Sequence, residues 1–575
     1  MNLRHCLTAP VALLLALAAG GLHAQARTAP GEGPFKHVPR PTTAAISAAD
    51  AMTRVYVLAD DSMMGREAGT RGGAMGTDYI ARELQRLGLE PAGDNGTYFQ
   101  AIPLVRRGVD PASALTVGGA ALTLWTDFVP LPALGGAFTY HPEFRSAGAP
   151  AVYGGRLGDA NVISPEAAAG KFVVFSAPLG QNGQPTYQFW TQGSLARYQQ
   201  AAGVAIAVLD LTPAGVVGFF RQEQYAMADP AARPLPAPPG FIVTSAVAER
   251  VLGAPLAGLA VGAAGAASVG GSSRFADQPT EAPARNVVAV LRGGDPRLRG
   301  EYVAIGSHND HDGVSPQAVD HDSLLAFNRV LRPQGADQLP DSVTPDKAAR
   351  FRAELDRLRA LRQPRRDSVF NGADDDASGV VGMLEIAEAF VRAPQRPRRS
   401  VLFVWHTAEE KGLLGSRYYG DHPTVPRDAI VAQLNIDMIG RGKAGDLEGG
   451  GDAYLQLVGS RRLSTELGNL VEEVNRTKGS GFTFDYSMDA DNHPQNIYCR
   501  SDHYNYARWG IPVTFFTTGG HSDYHMLTDE PQYIDFPKLA RVSQFIHDVA
   551  EAIANRDARL VVDKPKPNPD GPCQQ

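Results

Sequence analysis

The stretch Ser400-Val-Leu-Phe-Val-Trp-His-Thr-Ala-Glu-Glu-Lys-Gly-Leu-Leu-Gly-Ser416 constrains the fold most, because an apolar run ends there in two adjacent acids. Ser400 to His406 is short, β-branched and aromatic, with a basic lead-in at Arg396, Arg398 and Arg399, which reads as a strand buried on both faces of a sheet. Glu409 and Glu410 then fall at its C-terminal end, the edge of an open α/β sheet where ligands bind. Neighbouring carboxylates repel each other unless a cation sits beside them, so the pair marks either a metal or a solvated turn.

At 575 residues the chain is too long for one ordinary domain, and its 43% hydrophobic content is enough for more than one core. Lys+Arg number 54 against 61 Asp+Glu, a formal net charge of -7, and no long basic stripe appears, which argues against nucleic acid as a partner. Residues 1–26 run from Arg4 and His5 through the apolar Val11–Ala19 to a small-residue end at Ala24 or Ala26, the layout of a secretory signal peptide. The apolar core is shorter than the roughly 20 residues that span a bilayer, so a stable membrane anchor is not expected and export to the periplasm or exterior is. Cys6 leaves with the signal; a bridge between Cys499 and Cys573 would tie the Pro/Lys-rich C-terminal tail to the body.

Taken in order, Ile46, Ala49, Met52, Val55 and Leu58 recur at helical spacing with Ser47 as a cap, and a second helix runs from Gly72 to Leu87 and stops at Gly88. Residues 125–275 change character: Ala, Gly, Val and Pro dominate, with short strands at Lys171–Ser176 and Val204–Leu209 and a helix containing Ala196, Tyr198 and Ala201 between them. This stretch carries no His/Asp/Glu cluster and reads as a separate accessory domain. A sheet resumes at Arg285–Arg292 and Tyr302–Gly306, the latter running into Ser307-His-Asn-Asp-His-Asp312. Polar, Arg-rich residues 313–370, with a surface helix over Lys347–Leu361, look inserted. Asn371-Gly-Ala-Asp-Asp-Asp-Ala-Ser-Gly379 then opens an apolar helix, strand 400–406 leads to a helix starting near Glu410 or Lys411, and Ala429–Asp437 is a further strand ending in an acid. An amphipathic helix near Leu463–Lys478, the strand Ile511–Phe516, the loop Gly519–His525 and a last helix from Asp535 and Pro537 complete the chain. The fold class is therefore α/β, a central, mostly parallel twisted sheet flanked by helices.

Four strand ends or strand-helix turns deliver a metal-capable residue to one sheet edge: His308, Asp375, Glu410 and Asp437. His525 follows the last strand. Imidazole and carboxylate ligands without cysteine suit zinc or a similar divalent ion. Charge favours two Zn2+ ions per chain: three carboxylates and a shared hydroxide balance four positive charges, whereas one ion would leave a surplus of buried negative charge. Asp375 then bridges, His308 and Asp437 hold one ion, and Glu410 and His525 hold the other. Glu409, left without a metal, can act as proton shuttle if its surroundings raise its pKa. Asp310 can orient the His308 imidazole.

These motifs, Ser-His-Asn-Asp-His, Gly-Ala-Asp-Asp-Asp-Ala-Ser-Gly, Ala-Glu-Glu-Lys-Gly-Leu-Leu-Gly-Ser, Asn-Ile-Asp-Met-Ile-Gly and Asp-Tyr-His, resemble in kind and order those of the co-catalytic zinc aminopeptidases, metallopeptidase family 28. The resemblance implies the zinc-peptidase fold and peptide substrates with a free N-terminus. It makes Asp375, three residues before the serine, the bridging acid, and Tyr498 a residue that steadies the tetrahedral intermediate. The order Gly170-Lys-Phe-Val-Val-Phe, helix, apolar strand, Pro238-Pro-Gly-Phe-Ile-Val-Thr244 resembles the β-rich protease-associated domain inserted in several secreted peptidases. The implied layout is signal 1–26, N-terminal peptidase part 27–124, protease-associated-like insertion 125–275, catalytic domain 276–558 with insertion 313–370, and tail 559–575. Insertion 313–370 is longer than the family leads one to expect, could close over the cleft, and contains the rival ligand set Asp320-His-Asp322. His311, His503 and His521 read as hydrogen-bonding or surface histidines, and Met438, Ile439, Phe515 and Phe516 as either pocket or sheet core. Two other functions fit the same fold: a single-zinc glutaminyl cyclase and a non-enzymatic receptor-like binding protein. Oligomeric state is not legible.

Overall fold

The computed structural model describes residues 32–132, 140–192, 195–228, 237–571 and 573–575. The expected signal peptide lies outside the described residues.

A nine-stranded sheet organises the larger part of the molecule. From one edge its strands run Glu90–Pro91 beside Phe99–Ala101, Arg285–Leu291, Ser400–His406, Tyr302–His308, Ile430–Ile436, Val513–Thr517, Tyr454–Val458 and Thr483–Asp485. The four strands at the centre, from Ser400–His406 to Val513–Thr517, are parallel, and antiparallel strands close both flanks. The unbroken apolar runs follow from cover on both sides. Val287, Ala289 and Leu291 pack into one helical layer while Val288 and Val290 pack into the other, and Val401, Phe403 and Trp405 alternate with Leu402 and Val404 in the same way.

Helices Ala48–Leu58, Arg71–Leu87, Ala377–Arg392, Thr465–Lys478 and Phe536–Ala554 contribute to the larger layer. Their ends are where local chemistry puts them. The Ser47 hydroxyl accepts from Asp50 N–H at 3.1 Å, and Gly88 and Gly479 stop their helices in the left-handed region. The helix expected from Glu410 or Lys411 begins instead at Leu414, because Glu409 O accepts from Gly412 and Leu413 N–H in a turn that puts Ala408 and Leu413 at positive φ. Among the described residues no helix is long and apolar enough to cross a membrane.

Arg54 shows how helices of this layer are joined. Its side chain is 1% exposed and meets Glu385 and Glu388 from helix Ala377–Arg392, the latter at 2.6 Å. Arg54→Met would leave the buried Glu385 without its cation and Glu388 with Arg86 alone, and is expected to cost about 3–5 kcal/mol in denaturant unfolding; a loss below about 1 kcal/mol would show that the pairing is dispensable.

The β-rich accessory module has two sheets. One orders Phe128–Pro130, Gly240–Val243, Gly203–Ala207, Phe172–Ser176 and Ala151–Arg156; the other contains Leu104–Val109, Ala114–Val117, Glu143–Ala149, Gln224–Met227 and Val269–Pro279. Its strands thus begin at Leu104, ahead of the expected boundary at 125, because Leu104–Val109 pairs with Val269–Pro279. The helix expected around Ala196–Ala201 is only the 3-10 turn Ala196–Tyr198.

Residues 313–370 form an antiparallel strand pair, Val314–Asp320 with Arg366–Val369, enclosing helices His321–Leu331 and Pro345–Leu361. The expected rival ligands fall in a buried ion-pair network here. His321 Nε2 faces Glu530 at 3.1 Å, and Arg365 holds both Asp367 and Glu530, so cations of the protein itself already occupy that charge. The C-terminal tail folds back, with Cys499 and Cys573 disulfide-bonded and Gln575 Oε1 accepting from Tyr498 N–H at 2.8 Å.

Candidate metal centre

Three parallel strands of the sheet end in the site. His308 closes Tyr302–His308, Glu409 and Glu410 follow Ser400–His406, and Asp437 follows Ile430–Ile436. The turn Gly372–Asp376 before helix Ala377–Arg392 lies over them. Arg66, 1% exposed, donates to the carbonyls of Asn371 and Gly372 at 2.7 and 2.9 Å, and Asp529 accepts from Asp374 and Asp375 N–H at 3.0–3.1 Å. The Asp375–Asp376 peptide is cis.

These bonds decide which of the three consecutive aspartates faces the cavity. Asp374 accepts from Gly440 N–H at 2.6 Å and faces His521 Nε2 at 3.2 Å. Asp376 accepts from Gly379, Met438 and His308 N–H at 2.9, 3.1 and 3.3 Å, which ties three ligand-bearing segments to one carboxylate. Only Asp375 has both oxygens turned toward imidazoles: Oδ1 lies 3.0 Å from His308 Nε2, and Oδ2 lies 3.2 Å from His525 Nε2. Asp437 Oδ1 is 3.7 Å from His308 Nε2, and Glu410 Oε2 is 3.1 Å from His525 Nε2.

Asp375 thus lies between two groups of potential ligands, His308 with Asp437 and His525 with Glu410. Donors about 2.0–2.1 Å from a tetrahedral zinc ion lie about 3.3 Å apart, the spacing seen here. Both imidazoles are set as Nε2 ligands. His308 Nδ1 donates to the Asp310 carbonyl at 3.1 Å and His525 Nδ1 donates to Asp312 Oδ2 at 3.0 Å, so each proton sits on Nδ1. Ser501 Oγ donates to Asp437 Oδ2 at 2.7 Å.

The field is that of a buried anionic cluster. Burial alone would lower His308 and His525, yet the carboxylates around them raise both. Burial works to raise Asp375, but hydrogen bonds from His308 and His525 outweigh it and hold that carboxyl well below the usual range. Glu409 behaves oppositely. Burial pushes it well above the carboxylate range against the pull of His308, with Glu410, Asp437 and Asp502 adding to the rise. A carboxyl so placed keeps its proton to higher pH than a free glutamate does. Above the ligands opens a cavity of about 360 Å3, lined by Met438, Ile497, Phe515, Thr517, Arg500 and Tyr524 among others.

Residues 340–550 match the family model "Peptidase family M28". Over those residues the chain is similar to peptidase family M28. Among curated proteins it is similar to leupeptin-inactivating enzyme 1 of Streptomyces exfoliatus, 44% identical over 77 residues, or 13% of this chain and 18% of the relative. It is also similar to leucine aminopeptidase 1 of Penicillium rubens, 30% identical over 177 residues, or 29% and 43%. The chain spans less than half the length of these relatives. Similar solved structures include an aminopeptidase from Aneurinibacillus sp. strain AM-1, with TM-score 0.44 and 16% identity over 91% of this chain and 97% of that one. A zinc aminopeptidase from Bacillus subtilis gives TM-score 0.41 and 16% identity over 90% and 98%.

The five residues expected as metal ligands, His308, Asp375, Glu410, Asp437 and His525, line one cavity together with Glu409. Two other expectations change. The Asp310 carboxylate does not orient His308: its Oδ1 is 3.9 Å from Nδ1 and instead accepts Glu409 N–H at 3.0 Å, so Asp310 sets the base and only its carbonyl sets the imidazole. Tyr498 does not reach the cavity. It is 3% exposed, packed in the sheet core against His503 and beneath Arg462. The tyrosine at the cavity is Tyr524, next to the ligand His525, whose hydroxyl accepts from Arg500 at 3.2 Å. Its position in Asp-Tyr-His was visible in the sequence, but the tyrosine before Ser-Asp-His drew the assignment. His311 Nδ1 pairs with Glu410 Oε1 at 2.6 Å, His521 pairs with Asp374, and His503 stacks on Phe515. Met438 and Phe515 line the cavity, whereas Ile439 and Phe516 are fully buried core.

Proposed function

We propose that this protein is an exported aminopeptidase of family M28 that holds two zinc ions and removes N-terminal residues from peptides. The observation that carries the reading is the bidentate placement of Asp375, each oxygen facing a different imidazole, with Asp437 completing one half-site and Glu410 the other. A single-zinc cyclase or a binding module has no use for the second half-site.

Bound zinc would supply polarisation of the scissile carbonyl and acidification of a water. Glu409, held by Asp310 through its backbone N–H, is placed to take a proton from the attacking water and to return it to the leaving amine. The Tyr524 hydroxyl, fixed by Arg500, faces the same space and is placed to donate to the developing oxyanion. Met438, Ile497 and Phe515 offer apolar contact to the first side chain. Insertion 313–370 closes one side of the cavity: Asp337 accepts from both terminal nitrogens of Arg500 at 2.8 and 3.1 Å, and Ala336 N–H donates to the Tyr524 carbonyl at 3.0 Å. A pocket walled in this way suits a chain end better than a mid-chain segment. The module from Leu104 to Pro279 is assigned as protease-associated-like.

The test is a panel of aminoacyl chromogenic substrates, with and without a chelator. The expected result is loss of activity on chelation, recovery as zinc approaches two equivalents per chain, and no cleavage of N-acetylated substrates. Cleavage that survives exhaustive chelation, or that ignores N-acetylation, would overturn the assignment.

A further inference from the structure

The accessory module touches the metal centre. Its strand Gln224–Met227 pairs with Leu104–Arg107 of the same sheet, and Tyr225 and Met227 pack against Ala68, Ile102, Leu104 and Ala408. Ala408 is the residue before Glu409, so this strand backs the turn that carries the proton shuttle and one ligand.

A polar chain leaves the same strand. The Tyr225 ring lies 5.5 Å from Lys411 Nζ. Lys411 Nζ sits 3.4 Å from Glu67 Oε1 and 3.3 Å from Asp312 Oδ1, and the other oxygen of Asp312 accepts from His525 Nδ1 at 3.0 Å. The backbone presses these groups together. Gly313 has φ +77, and a Cβ there would meet Glu67 Oε2 at 2.8 Å. Lys411 is 14% exposed, so its charge is only partly screened by water.

Asp312 has two courses open to it. Its ligand atoms lie within 4.8 Å of those of Glu410 and His525, close enough to join that half-site directly. With Oδ1 held by the Lys411 ammonium it stays outside, where it fixes the imidazole and raises its basicity. The cation that enforces this is in turn held by Tyr225 and Glu67.

We propose that Asp312, Lys411 and Tyr225 are positioning residues through which the accessory module sets the affinity of one of the two ions, the one assigned to Glu410 and His525. The inference rests on the two-zinc reading. It makes the module part of the metal centre's support rather than a separate substrate-gathering unit.

The test measures two stepwise zinc dissociation constants on the full chain, by competition with a chromophoric chelator, for wild type, Asp312→Asn, Lys411→Met, Lys411→Arg, Tyr225→Leu and Tyr225→Phe. Asp312→Asn is expected to weaken one ion about 10–100-fold and leave the other within about 2-fold. Lys411→Met should weaken the same ion, and Lys411→Arg should recover it. Tyr225→Leu should weaken that ion about 2- to 5-fold, with Tyr225→Phe, which keeps the ring, returning to wild type. Should Tyr225→Leu fail to fold, the Asp312 and Lys411 variants decide the matter. Two ions bound as in wild type by Asp312→Asn, or both ions weakened equally, would overturn this inference alone. Wild type that takes up a single ion would overturn the two-zinc reading and this inference with it.

Discussion

Glu409→Gln is expected to bind zinc as wild type does and to lose turnover by about 10²- to 10⁴-fold, the range for removing a positioned general base. The amide fills the same volume and leaves His308, Asp375, Glu410, Asp437 and His525 unaltered, so kcat falls while metal content does not. The substitution removes a group that burial holds well above the carboxylate range and that lies beside the ligand Glu410. Metal analysis and steady-state kinetics on the same preparation check both halves. Retained turnover would remove Glu409 from the mechanism; lost zinc would make it a ligand instead.

Asp375→Ala should have the largest effect on metal binding. Both imidazole Nε2 atoms face this carboxylate at 3.0 and 3.2 Å, and no other side chain addresses both half-sites in that way among the described residues. Its loss strips one donor from each half-site and leaves Asp437 and Glu410 with less reason to converge. Losing an outer partner of a ligand costs 10–100-fold in metal affinity, so losing a shared ligand should cost at least about 100-fold for one ion or both. Zinc content after dialysis is expected below one ion per chain, with no measurable activity. A variant that keeps two tightly held ions would show that Asp375 is not shared.

The convergence of the five ligand positions was legible because each sits where a strand or a strand-helix turn ends, and a parallel sheet brings such ends to one edge. The same periodicity identified the helices near their true caps at Ser47, Gly88 and Gly479, since those residues act locally. What stayed hidden depended on direction or on distant partners. Nothing in Ser-His-Asn-Asp-His-Asp tells that the Asp310 carboxylate turns to Glu409 N–H while Asp312 takes the imidazole of His525, more than two hundred residues on. The motif pointed to Tyr498, and only its packing in the core against His503 removes it and leaves Tyr524 at the cavity. The early start of the accessory module was invisible for a similar reason. Leu104–Val109 looks like peptidase sequence until its pairing with Val269–Pro279 is seen.

The short segment Ile497–Ser501 answers to remote parts of the chain on two sides. Cys499 is fastened to Cys573 of the tail, Arg500 is gripped by Asp337 of the insertion, and Ser501 steadies a ligand. The rim where the cavity opens is therefore set by parts of the chain that lie far from it in sequence.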